Sequence, residues 1–412
     1  MQHNNQKYAF VLGRERDLCL TELYAVLVRF GFCFTVPSVY DNVAIINIEN
    51  ANESDVASLI ESLGGTMKIF RMIVPVDKQV KDRIISYITS SERSQKKFNY
   101  TISSYSRLFN YKSIFDLGLS IKKELKKELS LRFVEIREGK DASSILSLKN
   151  HFVDQGFEFG LFEADLGILI ALTDAEEWGE RDYDKPSGDK RSGMLPPKLA
   201  RMMINLALGS KKQEGKSLVI DPFCGSGNIL IEALLLGADA MGSDVSEKAV
   251  NDSMNNIKWL VENPKYRDKI TAKNPKPKVH IDQADASNVD FAKLLSTFDF
   301  RLSDYNSVAV VAEPFLGEPK KFKPSLNAVK GEYAKIQELY IDFLKNIRQS
   351  GLPINSLVLI FPLVETLEGK LYSLFDASVD EIEKIGYSVL TKPLVYGREY
   401  QVVKREIVLL QF

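Results

Sequence analysis

Apolar positions change their period along the chain, and each change marks an element. Tyr8-Ala-Phe-Val-Leu-Gly13 is a continuous apolar run that predicts a strand. Leu18, Leu23, Val26 and Leu27 then fall on one face of a helix from Leu18 to Phe30, and Val43-Ala-Ile-Ile-Asn-Ile48 returns to strand. A helix over Asp55 to Leu63 and a strand over Met67 to Val74 complete the first region. That order of elements predicts a small ferredoxin-like α+β domain over residues 1–75.

The second region, 76–175, begins with an alternating strand from Phe98 to Tyr105. A strongly amphipathic helix follows: Leu117, Ile121, Leu125 and Leu129 recur every four residues, with Lys122, Lys123, Lys126 and Lys127 turned away from them. Strand Leu131 to Ile136, helix Ser143 to His151 and strands Phe157 to Phe162 and Gly167 to Thr173 come next. Residues 176–191 have loop composition and predict a linker. From 192 to 412 strands alternate with helices: Pro196-Pro197 opens a helix running to Leu208, Ser246 caps one that continues to Trp259, and others cover Tyr333 to Ile347 and end at Ile385. The intervening strands are Leu218 to Asp221, Ala240 to Asp244, Val279 to Asp282, Ser307 to Val311, Leu357 to Phe361, Tyr387 to Thr391 and Glu406 to Leu410. This pattern predicts a doubly wound, seven-stranded α/β sheet with one antiparallel strand.

Composition adds limits. The 412 residues exceed a usual single core, and 45% hydrophobic with 26% charged residues are ordinary for a globular chain. No apolar run is long enough to span a membrane and the start carries no signal core, so a cytoplasmic location is expected. Cys19, Cys33 and Cys224 offer neither a disulfide framework nor zinc spacing, so no metal is expected. With only His3, His151 and His280, histidine-based catalysis is disfavoured; His280 sits in a strand and reads as a core or edge residue.

The net charge of -1 conceals an asymmetry, because from Lys68 to Asn150 Lys and Arg outnumber Asp and Glu about two to one. In that block Tyr100, Tyr105, Arg107, Phe109, Tyr111 and Lys112 interleave aromatics with cations. Such interleaving suits base stacking and phosphate contacts on RNA. Lys122, Lys123, Lys126, Lys127, Arg107 and Arg132 are the candidate RNA-binding residues, joined by Lys320 and Lys321 in a later loop.

The candidate chemistry lies in Leu218-Val-Ile-Asp-Pro-Phe-Cys-Gly-Ser-Gly-Asn-Ile-Leu230 and Gly242-Ser-Asp244. Gly225 and Gly227 permit a tight turn and close approach of a ligand. Asp244, roughly 20 residues on, is placed to accept from two ribose hydroxyls. A dinucleotide site would want a third glycine where Leu230 stands, and a phosphate loop would need Gly-Lys-Ser/Thr. Asp221 would repel a pyrophosphate but suit a ligand carrying an ammonium and a sulfonium.

The string Asp221-Pro-Phe-Cys-Gly-Ser-Gly227 resembles motif I of the S-adenosylmethionine (SAM)-dependent methyltransferases, in the form used by enzymes that methylate base amino groups. Ser192-Gly-Met-Leu-Pro-Pro-Lys-Leu-Ala200 is similar to the segment preceding that motif in THUMP-containing tRNA guanosine-N2 methyltransferases, the archaeal position-ten enzymes and their eukaryotic relatives. Arg132 to Asn150 resembles the second half of a THUMP domain, and Tyr8 to Arg14 with Leu20 to Leu23 matches that family's amino-terminal pattern. The resemblance implies a Rossmann-like methyltransferase domain preceded by ferredoxin-like and THUMP RNA-binding domains, with SAM as cofactor. It also implies a tRNA or other structured RNA as substrate, leaving room for an accessory protein subunit, and a closing antiparallel hairpin within Tyr396 to Ile407. By the same resemblance Asp221, Phe223, Gly225, Gly227, Asp244 and Pro196 line the SAM pocket, and Asp285 meets the adenine amino group.

Methyltransferases acting on exocyclic amines carry Asp/Asn-Pro-Pro-Tyr/Phe after the fourth strand, because acceptors on both N–H bonds localise the amine lone pair for in-line attack. Here the stretch reads Val310-Val-Ala-Glu-Pro-Phe-Leu-Gly317. Aligned on Pro-Phe, Ala312 takes the acid position; aligned on the acid, Glu313 replaces Asp and one proline is missing. Glu313 and the carbonyl of Pro314 are the candidate acceptors, and Phe315 is the candidate stacking platform for an extruded base. Two other readings stay open: a DNA amino-methyltransferase, and a non-catalytic RNA-binding factor that retains SAM.

Overall fold

The computed structural model describes residues 5–77, 79–137, 139–188, 194–209 and 215–412. The chain divides into two compact units, Met1–Leu20 with Gly31–Gly179, and Thr21–Phe30 with Glu180–Phe412.

The first unit is built on strands β1 (Asn5–Leu12), β2 (Phe34–Tyr40), β3 (Val43–Glu49) and β4 (Thr66–Pro75), with α2 (Glu53–Ser58) before β4; α1 (Arg16–Arg29) follows β1 and falls to the second unit from Thr21 on. The sheet order β2-β3-β1-β4 is that of the expected ferredoxin-like arrangement. β2 carries no apolar period, since Phe34-Thr-Val-Pro-Ser-Val-Tyr40 is a largely exposed edge strand with a proline, which is why only the structure reveals it. The chain continues through α3 (Val80–Ser90), β5 (Phe98–Ser104), α4 (Tyr111–Leu125), β6 (Leu131–Phe133), α5 (Ser144–Lys149), β7 (Phe157–Leu161), β8 (Asp165–Leu172) and α6 (Ala175–Gly179). β4 pairs antiparallel with β8, so one sheet of order β2-β3-β1-β4-β8-β7-β5-β6 runs across position 75 without a break. Asn110 and Ser113 cap α4 reciprocally, and the helix ends at Leu125, leaving Lys126 as its C-cap and Lys127 in the turn beyond.

In the second unit α7 (Pro197–Leu208) starts on a proline at its first turn and buries nearly its whole length. Ser192 and Gly193 lie outside the described residues. Next come β9 (Lys216–Asp221), α8 (Asn228–Leu235), β10 (Asp239–Asp244), α9 (Glu247–Glu262), α10 (Pro264–Lys273), β11 (Val279–Gln283), α11 (Phe291–Thr297), β12 (Tyr305–Ala312), α12 (Leu326–Gln349) and β13 (Ser356–Glu365). The chain closes with β14 (Leu371–Ser373), α13 (Leu374–Ile385), β15 (Ser388–Val389), β16 (Leu394–Tyr396) and β17 (Val403–Gln411). The main path β11-β10-β9-β12-β13-β17-β15 has seven strands, and β17 runs antiparallel to both neighbours. Short β14 and β16 add to β13 and β17, and β16–β17 is the expected closing hairpin. Strand order reverses between β9 and β12, the switch point at which doubly wound sheets bind ligands outside the carboxyl ends of their strands.

One buried ion cluster holds the helix after the switch point. Glu232 of α8, fully buried, takes Arg181 at 2.7 Å and Arg201 of α7 at 2.5 Å. Glu232→Leu removes the buried carboxylate shared by these two guanidinium groups. The expected cost is about 3 kcal/mol or more, read as a lowered midpoint in urea unfolding.

Candidate active site

Three carboxylates converge at the carboxyl ends of adjacent strands: Asp221 ends β9, Asp244 ends β10, and Glu313 follows β12. The turn after β9 works as its glycines predict. Gly225 and Gly227 both have positive φ, 51° and 83°, and a Cβ at Gly227 would strike Ser253 Oγ at 2.4 Å. Gly225 N–H donates to Asp244 Oδ2 at 3.0 Å and Ser246 N–H to Oδ1 at 2.9 Å. The carboxylate is thereby oriented, and each oxygen keeps a second lone pair for a ribose hydroxyl. Leu230 stands where a third glycine would be, and the missing space is found on the strand instead. A Cβ on Gly242 of β10 would meet Leu230 Cδ1 at 2.5 Å, so the helix still packs closely.

The loop is braced from the linker side. Asn228, at the start of α8, donates to Leu195 O at 2.6 Å and accepts from Lys185 Nζ. Asn256 of α9 accepts from Ser187 N–H at 2.9 Å and donates to Ser226 O at 2.8 Å. Pro196, half-buried, is the N-cap of α7, and Phe223 packs edge-on against Phe343 with ring centroids 5.1 Å apart. Sequence reasoning missed Asn228, Asn256 and Lys185, whose partners lie tens of residues away.

Asp221 is 1% exposed, with Oδ1 accepting from Phe223 N–H at 3.1 Å. Burial pushes its carboxyl well above the usual carboxylate range; the Phe223 N–H opposes that, and the negative charges of Asp244 and Glu313 add to it. A buried acid surrounded by acids fits a ligand that brings positive charge, and it disfavours a phosphate. Because the pKa is raised on folding, the stability it contributes is complete below the ordinary carboxyl pKa and is lost as pH rises through the folded one. Asp221→Asn keeps the acceptor for Phe223 and removes that loss. It should unfold at the same or higher temperature than the parent near pH 7.5, yet bind a cationic sulfonium ligand about tenfold or more weakly, by calorimetry.

Glu313 lies close to Arg405 of β17, whose Nε donates to Oε1 at 2.5 Å. Burial raises the Glu313 carboxyl, and the Arg405 charge and hydrogen bond pull it back down. Pro314 is buried, whereas Phe315 is 51% exposed. Tyr333 Oη donates to Leu316 O at 2.8 Å, and Gly317 beside it takes φ of 91°, so the loop is tied to α12.

Other predicted residues are placed differently. Asp285 is exposed and folds onto its own turn, with Oδ1 accepting from Ser287 N–H at 2.9 Å and Ser287 Oγ at 2.7 Å. Lys320 pairs with Glu332 at 2.6 Å and sits over the Tyr333 ring, while Lys321 is exposed. In the first unit Lys123, Lys126, Lys127 and Arg132 are exposed, Lys122 is half-buried, and exposed Arg107 pairs with Asp41 at 2.9 Å. Two aromatics of the basic block turn inward, Tyr100 into the core and Tyr105 half-buried against it. Tyr100 is fully buried and donates to Gly118 O at 2.6 Å, and Tyr105 stacks on Phe162 with centroids 5.1 Å apart. His280 lies on edge strand β11 against Phe298, and burial lowers its pKa. Among the described residues no cluster of His, Cys, Asp and Glu could hold a metal ion, and no helix is long and apolar enough to cross a membrane.

Residues 187–305 match the UPF0020 family, the RMKL-like methyltransferase domain. The segment is a methyltransferase domain. It covers α7 to the start of β12, which includes Asp221, the glycine turn and Asp244. The chain is similar to the tRNA (guanine(10)-N2)-dimethyltransferase of Methanocaldococcus jannaschii, with 27% identity over 54% of this chain and 57% of that protein. It is also similar to that of Pyrococcus abyssi, with 34% identity over 23% of this chain and 26% of that protein. It thus spans little more than half of the first relative and about a quarter of the second. A possible methylase from Clostridium difficile 630 superposes with a TM-score of 0.44 at 14% identity, covering 98% of each chain. Glu313, Arg405 and the closing hairpin of the second unit lie beyond the matched segment.

Proposed function

We propose that this chain transfers a methyl group from SAM to the exocyclic N2 of a guanosine in tRNA. The observation that carries the reading is the convergence of Asp221, Asp244 and Glu313 at three neighbouring strand ends, beside an exposed Phe315, in a chain similar to enzymes named for guanine-N2 methylation of tRNA. SAM would supply an electrophilic methyl on a sulfonium, whose charge suits the acid cluster. Asp244 would accept from the ribose hydroxyls, Gly225 and Gly227 would let the backbone approach, and Asp221 would face the cationic end. Pro196, Phe223 and the braced turn would form the pocket wall; the exposed Asp285 would contribute at the rim.

Glu313 and the Pro314 carbonyl would accept the two N–H bonds of the target amine, with Phe315 under the base. Arg405 is a positioning residue here: by taking Oε1 it holds the longer glutamate side chain where an aspartate would otherwise reach, and it favours the ionised form. As the N–C bond forms, the methyl–sulfur bond would break with its electron pair going to sulfur, leaving a neutral thioether, and the amine proton would pass to Glu313 or to water. Residues 1–75 and 76–175 would bind RNA as ferredoxin-like and THUMP-like domains, through Lys122, Lys123, Lys126, Lys127, Arg132 and Arg107, with Lys321 contributing near the site.

The deciding experiment is incubation with methyl-labelled SAM and either tRNA or duplex DNA, followed by digestion and identification of the labelled nucleoside. Label in N2-methylguanosine from tRNA is the expected result. Label in DNA, or none in either polymer while SAM still binds, overturns it.

A further inference from the structure

The closing hairpin carries features that the catalytic reading does not use. β17 begins at Val403 and runs antiparallel to β13, with Val403 opposite Val364, so the loop joining β16 to β17 projects from the carboxyl edge of the sheet. That is the edge where β9, β10 and β12 deliver the three carboxylates. Tyr396 pairs with Arg405, the residue that holds Glu313, so the loop rises directly from the site's border.

The loop is preformed. Arg398 N–H donates to Gln401 Oε1 at 2.7 Å and Gln401 N–H to Arg398 O at 3.0 Å, closing a turn with Glu399 and Tyr400 at its corners. Tyr400 is 74% exposed, with the Arg398 guanidinium 5.7 Å from its ring centroid and hydrogen-bonded to its hydroxyl.

An exposed tyrosine held against an arginine, on a loop at the carboxyl edge of the sheet, forms a surface of known chemistry. Aromatic rings and guanidinium planes stack on unpaired bases, and a fixed turn spares the ordering cost of binding. We propose that Tyr400 and Arg398 form a stacking platform for the unpaired nucleotides flanking the target guanosine. This rests on the RNA reading above and names where the strand on either side of the extruded base is held.

The test is steady-state methylation of a tRNA transcript pool by the full chain and its Tyr400→Ala, Tyr400→Phe and Arg398→Ala variants, with SAM affinity and thermal midpoint measured for each. Each alanine variant should raise KM for tRNA on the order of tenfold with kcat and SAM affinity unchanged, while Tyr400→Phe, which keeps the ring, stays within about twofold of the parent. Alanine variants with parental KM overturn the platform alone. A joint loss of SAM affinity and thermal midpoint also overturns it, as damage to the fold. A parent chain inert on tRNA overturns the function and the platform together.

Discussion

Glu313→Ala is expected to bind SAM as the parent does and to lose methyl transfer. In the proposed reaction its carboxylate is the acidic group offered to the amine beside Pro314 and Phe315, and a preorganised acceptor of this kind is worth about 10²- to 10³-fold in kcat. Cofactor affinity is spared because Asp244 and the glycine turn are held by their own hydrogen bonds, independent of the β12 end. The two measurements are calorimetric SAM binding and single-turnover transfer to tRNA. Parental turnover in Glu313→Ala would sink the catalytic assignment. Arg405 supplies the companion test. Glu313 must be ionised to accept from the amine; burial raises its pKa and Arg405 lowers it. The rate should therefore fall as pH drops through the raised carboxyl pKa, and Arg405→Met should move that acidic limb to higher pH. Arg405→Lys should restore part of the shift. An unchanged limb in Arg405→Met would show that the pair is structural only.

Asp244→Ala is expected to abolish SAM binding. The side chain accepts from Gly225 and Ser246 N–H groups, and in the proposed complex its remaining lone pairs would accept from the ribose. Each hydrogen bond to a charged group is worth about 1.5–3 kcal/mol, so losing two ribose contacts weakens binding about 10²- to 10⁴-fold before the turn relaxes. Asp244→Asn separates the roles. It keeps one acceptor oxygen for the turn and should bind SAM weakly but measurably, with the fold unchanged by circular dichroism. Near-parental affinity in Asp244→Ala would remove the ribose assignment.

The elements most legible in the sequence are those set by short-range chemistry. Gly225 and Gly227 require positive φ, Pro197 can start a helix but not continue one, and Ser246 caps α9, with Ala249 N–H donating to its side chain. The alternation of strand and helix was enough to expect a doubly wound sheet with one antiparallel strand. The basic block was legible as charge but not as surface. β5 alternates like any strand, and nothing local says that Tyr100 faces the core while Arg107 faces water. The lysines of α4 follow the helix period, yet the helix stops at Leu125.

By itself, then, the sequence determined the nucleoside-type turn, the acid that follows it and the order of the supporting elements. Each of these depends on backbone preferences and periodicity within a few turns of chain. Tertiary structure alone decided that Arg405, 92 residues away, holds Glu313, and that Gly242 makes room for Leu230. It also decided that Asp285 spends its carboxylate on its own turn and that Tyr400 stands exposed at the site's edge. Those are outcomes of strand order and burial. Which side chains meet across a sheet is set by which strands become neighbours, and charge and desolvation act only once they have.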